Sequence, residues 1–301
     1  MKSDTLITGL GFCGMDYLCQ VPHIPQDDKV EILQSAIQGG GPSVNAIAAA
    51  ARLGARTAFI GCVGGDQPGR DIVAGLAAEG VDISGMRTRE GAESAAGFCW
   101  IEKETGKRSI AWTRGTARPL ATEEITPELI CSSTLLHLDG HQTEAAIAAA
   151  KLARAHGVTV SIDAGTIVPR IEKLLELADI IIASETFACR YTGLYDMETA
   201  AKKLFAGNCR FSAVTMGSEG SIGCDGCEVF RCPAFKVTVV DTTGAGDVFH
   251  GAFAYEYVRG GTWTECLRFA SAVSALKCTR FGGRAGIPDL KTTQEFLKQH
   301  E

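Results

Sequence analysis

The sequence predicts an α/β fold of three layers, α/β/α, with a mostly parallel central sheet and a small β-sheet attached as a lid. Short β-branched runs ("TAFIGCVG", "TLLHLDG", "VTVSIDAG", "DIIIASE", "FSAVTMG") alternate with alanine-rich stretches ("SVNAIAAAARLGA", "GRDIVAGLAAEG", "TEAAIAAAKLARAHG", "METAAKKLFAG"). Apolar strands alternating with amphipathic helices form parallel sheets covered on both faces. Two segments break this rhythm, "KVEILQSAIQG" (29–39) and "AGFCWIEKETGKRSIAWTRG" (96–115). Both alternate polar and apolar residues, as a sheet wetted on one face does, and the second reads as a hairpin with "ETGK" at its tip. The chain is read as a single domain over 1–301, with a lid formed by about 17–39 and 96–115. The alternative is an edge extension of the main sheet.

Composition removes several classes of function. A net charge of −6 and the lack of any Lys/Arg-rich run argue against nucleic acid and anionic membranes as partners. No stretch reaches about 18 uninterrupted apolar residues, so no membrane span is expected. The start, "MKSDTLITGLGF", has too short an apolar part for a signal peptide and reads as a first strand. The twelve cysteines are scattered, many in apolar runs such as Cys62 in "AFIGCVGG". A reduced, cytoplasmic chain uses them as small apolar fillers. Cys224 and Cys227 enclose Asp225-Gly226, a two-residue hairpin signal, with no second pair to complete a zinc set.

The first strand runs into "LITGLGFCGMD", where Gly9, Gly11 and Gly14 spell G-x-G-x-x-G. A dinucleotide fold needs a helix that begins inside this motif. Pro22 and Pro25 prevent a long helix here. The glycines instead let the strand end approach something closely, with Asp16 directed at it.

The richest segment is "VTVVDTTGAGDVFHGAFAYEYV". A strand over 237–240 is predicted to end at Asp241, and a helix to begin near Ala245 with Val248, Phe249, Ala252 and Phe253 on its apolar side. Small residues at a helix N-terminus leave main-chain N–H groups unpaired, and the helix dipole adds positive potential. Gly244, Ala245 and Gly246 thus form a candidate anion site, with Asp247 beside it. Alone, Asp247 is also an ordinary early-helix residue. Amide donors next to a carboxylate are what phosphoryl transfer requires: charge neutralisation and a base for the attacking hydroxyl. No Walker-type phosphate loop or protein-kinase signature accompanies them.

"DTTGAGD" followed by "FHGAF" closely resembles the C-terminal signature of the ribokinase-like, or PfkB, carbohydrate kinases. "GGGPSVNAIAAAARLGARTAFIGCVGGDQPG" resembles their N-terminal signature, and the likeness runs from the first strand to "GIPDL". Within the family, "PAFKVTVVDTTGAGDVFHGAF" and "FASAVSALKCTRFGGRAGIPD" are most similar to sulfofructose kinases, and "LHLDGH" to ketohexokinases. The resemblance implies ATP and Mg²⁺ as cofactors. It implies that Asp247 is the general base and that Gly244, Ala245 and Gly246 hold the γ-phosphate. It places Asp16, Gly40, Gly41 and Asn45 at sugar hydroxyls, and Thr215, Gly217, Ser218 and Gly220 of "TMGSEG" beside ATP. Asp241 and Thr243, with carbonyls of Arg280, Gly282 and Gly286, match positions where many members hold a monovalent cation such as K⁺. Plain loop structure is the alternative there. The family's N-x-x-E after "DIIIA" is replaced: Ser184 stands for the Asn, Phe187 for the Glu, and Glu185 is offset by two.

For the sugar, Asp16 and Asn45 can each satisfy two hydroxyls. Asp139, ending "LLHLD", is a third candidate or a cap for the next helix. Lys29 stands where the resemblance puts a basic contact. His141 replaces an arginine of sulfofructose kinases, and Trp112 a small polar residue. Arg108 and Arg114 supply further charge or are simply solvated. A fructose-like ketose therefore stands ahead of a sulfosugar. A nucleoside kinase and a non-catalytic sugar-binding regulator of the same fold are the other readings. His250 is expected to pack or cap. Trp100 and Trp112 are assigned to the lid's apolar face, through which a homodimer is expected to form.

Overall fold

The computed structural model describes residues 5–300. The single-domain and leader readings extend to 1–4 and 301, which lie outside the described residues. The strands are Leu6–Leu10 (β1), Gly14–Val21 (β2), Gln34–Gly40 (β3), Arg56–Gly64 (β4), Asp82–Arg89 (β5), Ala95–Glu102 (β6), Arg108–Thr113 (β7), Leu135–Leu138 (β8), Thr159–Ala164 (β9), Ile180–Ser184 (β10), Phe211–Thr215 (β11), Ser221–Cys224 (β12) and Val229–Cys232 (β13). Nine form one sheet in the order β13-β12-β11-β10-β9-β8-β1-β4-β5, and β3-β2-β6-β7 form a second. From β11 to β5 neighbours run parallel, while β12 and β13 are antiparallel.

Every residue of β1, at the interior of the large sheet, is buried. The helices Thr143–Ala155, Glu185–Thr192 and Met197–Leu204 pack one face in one apolar cluster. Pro42–Arg52, Ala245–Val258 and Trp263–Cys278 pack the other in a second cluster. Phe253 anchors this layer, with Phe211 stacked at 5.6 Å and Trp263 at 6.4 Å. Fully burying such a ring contributes about 1.5–3 kcal/mol. A Cβ at Gly251 would overlap the Ala46 carbonyl oxygen. Glycine therefore lets the helix Ala245–Val258 lie directly on Pro42–Arg52, which brings Asn45 to Asp247.

The second sheet is separate, not an edge extension. Asp16 is in register with Gly97, and Gly97 with Trp112. Alternate residues of a strand point to opposite faces. One face carries Leu18, Cys99 and Ile101, buried with Phe281. The other carries Tyr17, stacked on Phe98 at 5.0 Å, and exposes Ile37 and Phe98. Trp112 thus shares the inner face with Asp16 and Trp100 lies on the outer one, which corrects their assignment to a single face.

Two further expectations change. Residues 237–240 are not a strand. The amides of Val240 and Asp241 bond the Cys278 carbonyl at a helix end rather than a neighbouring strand. The β12–β13 hairpin exists, with Cys224 opposite Val229, so its loop has four residues rather than two. Asp225 Oδ1 closes that loop by accepting the amides of Cys227 and Glu228. All twelve cysteines are free thiols, and most are buried. Among the described residues no helix is long and apolar enough to cross a membrane.

Candidate active site

A cavity of about 380 Å³ opens where the parallel strands end. Asp139 follows β8, Asp163 is the penultimate residue of β9, and Ser184 and Thr215 end β10 and β11; all four line it. Gly244, Gly246, Asp247 and His250 line it from the start of the helix Ala245–Val258, and Arg108 from β7.

The loop before that helix is folded by Asp241. Its fully buried carboxylate accepts the Thr243 amide at 2.8 Å and the Gly282 amide at 2.9 Å. Gly244 then caps the helix at φ 74°, a left-handed conformation suited to glycine, and no side chain caps the first turn. The Ala245 amide donates to the Thr242 carbonyl at 3.2 Å. Of the predicted anion-site residues, Ala245 therefore has its N–H engaged. The first-turn amides of Gly246 and Asp247 are donors of the kind that receive anions. Arg108 bonds the Thr242 carbonyl at 2.9 Å and its hydroxyl at 3.1 Å, so the small sheet touches this loop.

Asp247 Oδ2 accepts from Asn45 Nδ2 at 2.8 Å. Arg284 Nε donates to Asn45 Oδ1 at 3.1 Å, which fixes the amide so that its NH₂ faces Asp247. Burial, and then the charge of Asp163, push the Asp247 carboxyl up to about 6, against the Asn45 bond. Asp16 is also pushed up to about 6, by burial and then by Asp247, while Arg284 and Arg108 oppose the rise. Gly40 and Gly97 flank Asp16 and leave room for its carboxylate, which a Cβ at Gly40 would overlap. Gly41 starts the helix Pro42–Arg52 at φ 123°, against the Phe12 carbonyl.

Asp139 lines the cavity, but its oxygens are taken by the main chain. Oδ2 accepts the amides of Phe12 (2.9 Å) and Ser43 (3.3 Å), and Oδ1 that of His141 (3.0 Å). A Cβ at Gly11 would overlap this carboxylate. The close approach read from the glycine motif is therefore to Asp139. His141 lines the cavity and packs on Phe12 at 5.6 Å, and Trp112 meets Phe12 edge-on at 6.3 Å. Lys29 is exposed between β2 and β3, away from the cavity lining. Gly217 and Ser218 form the turn after β11 with Gly220 behind it, and of this segment Thr215 reaches the lining.

Asp163 and His250 complete the floor. His250 Nε2 lies 3.3 Å from Asp163 Oδ1. Burial is the largest influence on Asp163 and would raise it, but the neighbouring imidazoles, His250 first, together outweigh it and hold the carboxyl below the usual range. Behind it, burial and His250 pull His137 down to about 3, so that ring is neutral. Asp163 was not singled out from the sequence, although it ends the predicted strand "VTVSIDAG" as Asp139 ends "LLHLDG"; an acid at that end of a parallel strand is the available signal.

Among the described residues no cluster of three metal-ligating side chains exists. Ser184 caps its helix by accepting the Phe187 amide at 3.2 Å, Phe187 is buried, and Glu185 is exposed outside the lining. Asp163 and Asp247 are the carboxylates with cavity access not tied up by main-chain amides. That donor set fits Mg²⁺ carried on phosphates with several of its waters, not held in a protein cage. The monovalent-cation positions behave differently. The Asp241 carboxylate is occupied by amides, and its carbonyl accepts Lys277 Nζ at 2.8 Å. A second cleft, about 510 Å³, lies beside β13 with Arg231, Lys236, Arg268 and His300 in its wall. It has no carboxylate and none of the residues Gly244–Asp247 in its wall, so the candidate site is placed in the first.

Uncapped helix amides, a carboxylate beside them and polar side chains opposite define a group-transfer site, in which a hydroxyl attacks an anionic group. The family model described as "pfkB family carbohydrate kinase" matches residues 5–290. The ribokinase of Haemophilus influenzae is 29% identical over 97% of this chain and 98% of its own length. Fructokinase-1 of Oryza sativa subsp. japonica is 30% identical over 87% of this chain and 88% of its own. The structure of Arabidopsis thaliana ribokinase complexed with ribose and ATP superposes with a TM-score of 0.84 at 26% identity, covering 98% of this chain and 99% of that one. The chain belongs to the pfkB family of carbohydrate kinases and is a phosphotransferase with an alcohol group as acceptor.

Proposed function

We propose that the chain transfers the γ-phosphoryl group of ATP to a primary hydroxyl of a small sugar, a fructose-like ketose. One observation carries the reading: Asp247 lines the cavity in an uncapped helix turn and is held by the Asn45 amide, which Arg284 fixes in turn. A carboxylate near 6 is ionised at pH 7 yet basic enough to take a proton in the transition state. Its Oδ1, not used by Asn45, accepts the proton of the attacking hydroxyl. The amides of Gly246 and Asp247 receive the charge of the migrating group. Asn45, bonded to Asp247, and Asp16, whose carboxyl Asp247 raises, fix the sugar, although neither lines the cavity itself; His141 stands at the cavity wall. Thr215 and the 217–220 turn border the nucleotide. When bound, Mg²⁺ would supply charge neutralisation at the nucleotide phosphates, and Asp163 would hold it through water.

The four-stranded sheet acts as the lid. The Arg108 bonds to Thr242 couple it to the loop, and its closure excludes water that would compete as acceptor. A sulfosugar finds less support, since Lys29 is exposed outside the cavity lining and Arg108, the one Arg or Lys in that lining, already has its Nη1 on Thr242. The outer sheet face, with Ile37 68% exposed and Phe98 46%, supports a homodimer formed through the lid. The free buried thiols support a reducing, cytoplasmic setting.

ADP release, measured with ATP and Mg²⁺ over a panel of ketoses, aldoses, sulfosugars and nucleosides, tests the reading. The highest kcat/KM is expected for a ketohexose. A nucleoside preference would replace it with nucleoside kinase activity. Sugar binding without turnover would leave a regulator.

A further inference from the structure

We propose that Lys277 is the resident cation of the phosphate-binding loop, so that this enzyme works without a bound monovalent ion. Lys277 is fully buried, which lysine tolerates only when paired. It lies in the last turn of the helix Trp263–Cys278, where the helix dipole favours a positive charge. Its Nζ reaches out of that turn and donates to the Asp241 carbonyl at 2.8 Å. The same helix end receives the Val240 and Asp241 amides on the Cys278 carbonyl. The start of the loop is therefore clamped to one helix terminus by two amides and one ammonium.

The groups facing that ammonium fit a charge. Burial is the largest influence and holds its pKa below the usual lysine value, with Arg108 acting the same way; Asp241, then Cys278 and Asp247, oppose the fall. Asp241 directs its carboxylate at the amides of Thr243 and Gly282, which places the loop's turn and the Arg280–Gly286 segment against each other. These are the positions at which a monovalent ion was expected. Of those positions, both Asp241 carboxylate oxygens accept main-chain amides and its carbonyl accepts the Lys277 ammonium, which leaves the buried, unpartnered Thr243 hydroxyl; a metal ion beside that ammonium would be repelled by it, so the set does not fit a second cation. Lys277 touches neither sugar nor nucleotide in this arrangement. It is a positioning residue, acting through Asp241 on the turn that aims the Gly246 and Asp247 amides.

The proposal rests on the kinase reading, and its test separates the two. Initial rates of the wild-type enzyme are compared in KCl and in N-methylglucamine chloride of equal ionic strength. The rates are expected to agree. In Lys277→Met the rate is expected to fall roughly tenfold or more without K⁺, as a displaced loop would cause, and to recover with KCl or NH₄Cl. Melting temperature gives a readout independent of turnover: KCl should raise that of Lys277→Met over the N-methylglucamine salt and leave the wild type unchanged. Strong K⁺ activation of the wild type would overturn the proposal. So would a Lys277→Met variant indifferent to cations in both rate and melting temperature. Should Lys277→Met fail to fold in every salt, the wild-type comparison decides alone. If no sugar is phosphorylated at all, the kinase reading falls, and the melting series still tests the ion seat.

Discussion

Two aspartates line the same cavity and are held in opposite ways. Asp139 spends its carboxylate on three main-chain amides, those of Phe12, Ser43 and His141. Asp247 is held by one side-chain amide, from Asn45, at a helix start that no side chain caps. The first carboxylate fastens β1, the helix Pro42–Arg52 and the turn after β8 together. The second keeps an oxygen free and a pKa near 6. Both are acids placed at the end of a strand or beside a helix start, so position alone does not tell a fastener from a base. The number of donors that each oxygen already accepts does.

The comparison breaks most sharply under paired amide substitutions. Asp247→Asn should lower kcat by roughly 10²–10⁴, the usual effect of losing a general base. Asp139→Asn should leave kcat closer to wild type but lower the melting temperature, because an NH₂ then faces buried N–H donors at a cost of about 1–3 kcal/mol. Steady-state kinetics with thermal melts on both variants would show it, and the reverse pattern would exchange the two roles. Next in size is Asn45→Ala. It frees Asp247 from its anchor and should cost about 10–100-fold in kcat. Because the Asn45 bond lowers the Asp247 pKa, the acid limb of the kcat/KM profile should also move to higher pH in this variant.

A smaller effect comes from pH alone. Wild-type kcat/KM should fall as pH drops through about 6, where Asp247 takes a proton. Stability should run the other way. A folded pKa raised from about 3.9 means the native state binds the proton more tightly than the unfolded chain. The stabilisation is therefore fully present below about 4 and is lost as pH rises through about 6. In Asp247→Asn that pH-dependent loss should shrink in melts taken across this range. The smallest effect belongs to Lys29→Ala, which should leave kcat/KM unchanged, since the side chain is exposed off the cavity.

The regular layers were legible because an apolar strand and an alanine-rich helix differ in period, and "DTTGAGD" shows its donors and acid within seven residues. What stayed hidden depends on contacts between distant segments. The 237–240 run has the composition of a strand, yet its end pairs with a helix-end carbonyl about 40 residues on, which no local pattern records. Arg284 bonds Asn45 and Lys277 the Asp241 carbonyl, and no local pattern in the sequence marks either residue. Asp163 was within reach, since it closes a predicted strand; the His250 beside it is 87 positions away. The two tryptophans shared an apolar pattern, and register put them on opposite faces.

The central claim is that the Asp247 carboxylate takes the proton of the attacking hydroxyl. Single-turnover phosphoryl transfer at saturating ATP and ketose, at pH 8, tests it most directly when wild type and Asp247→Asn are compared. The account predicts a transfer rate lower by roughly 10²–10⁴ in the variant, with sugar and ATP binding retained. A transfer rate near wild type would contradict it.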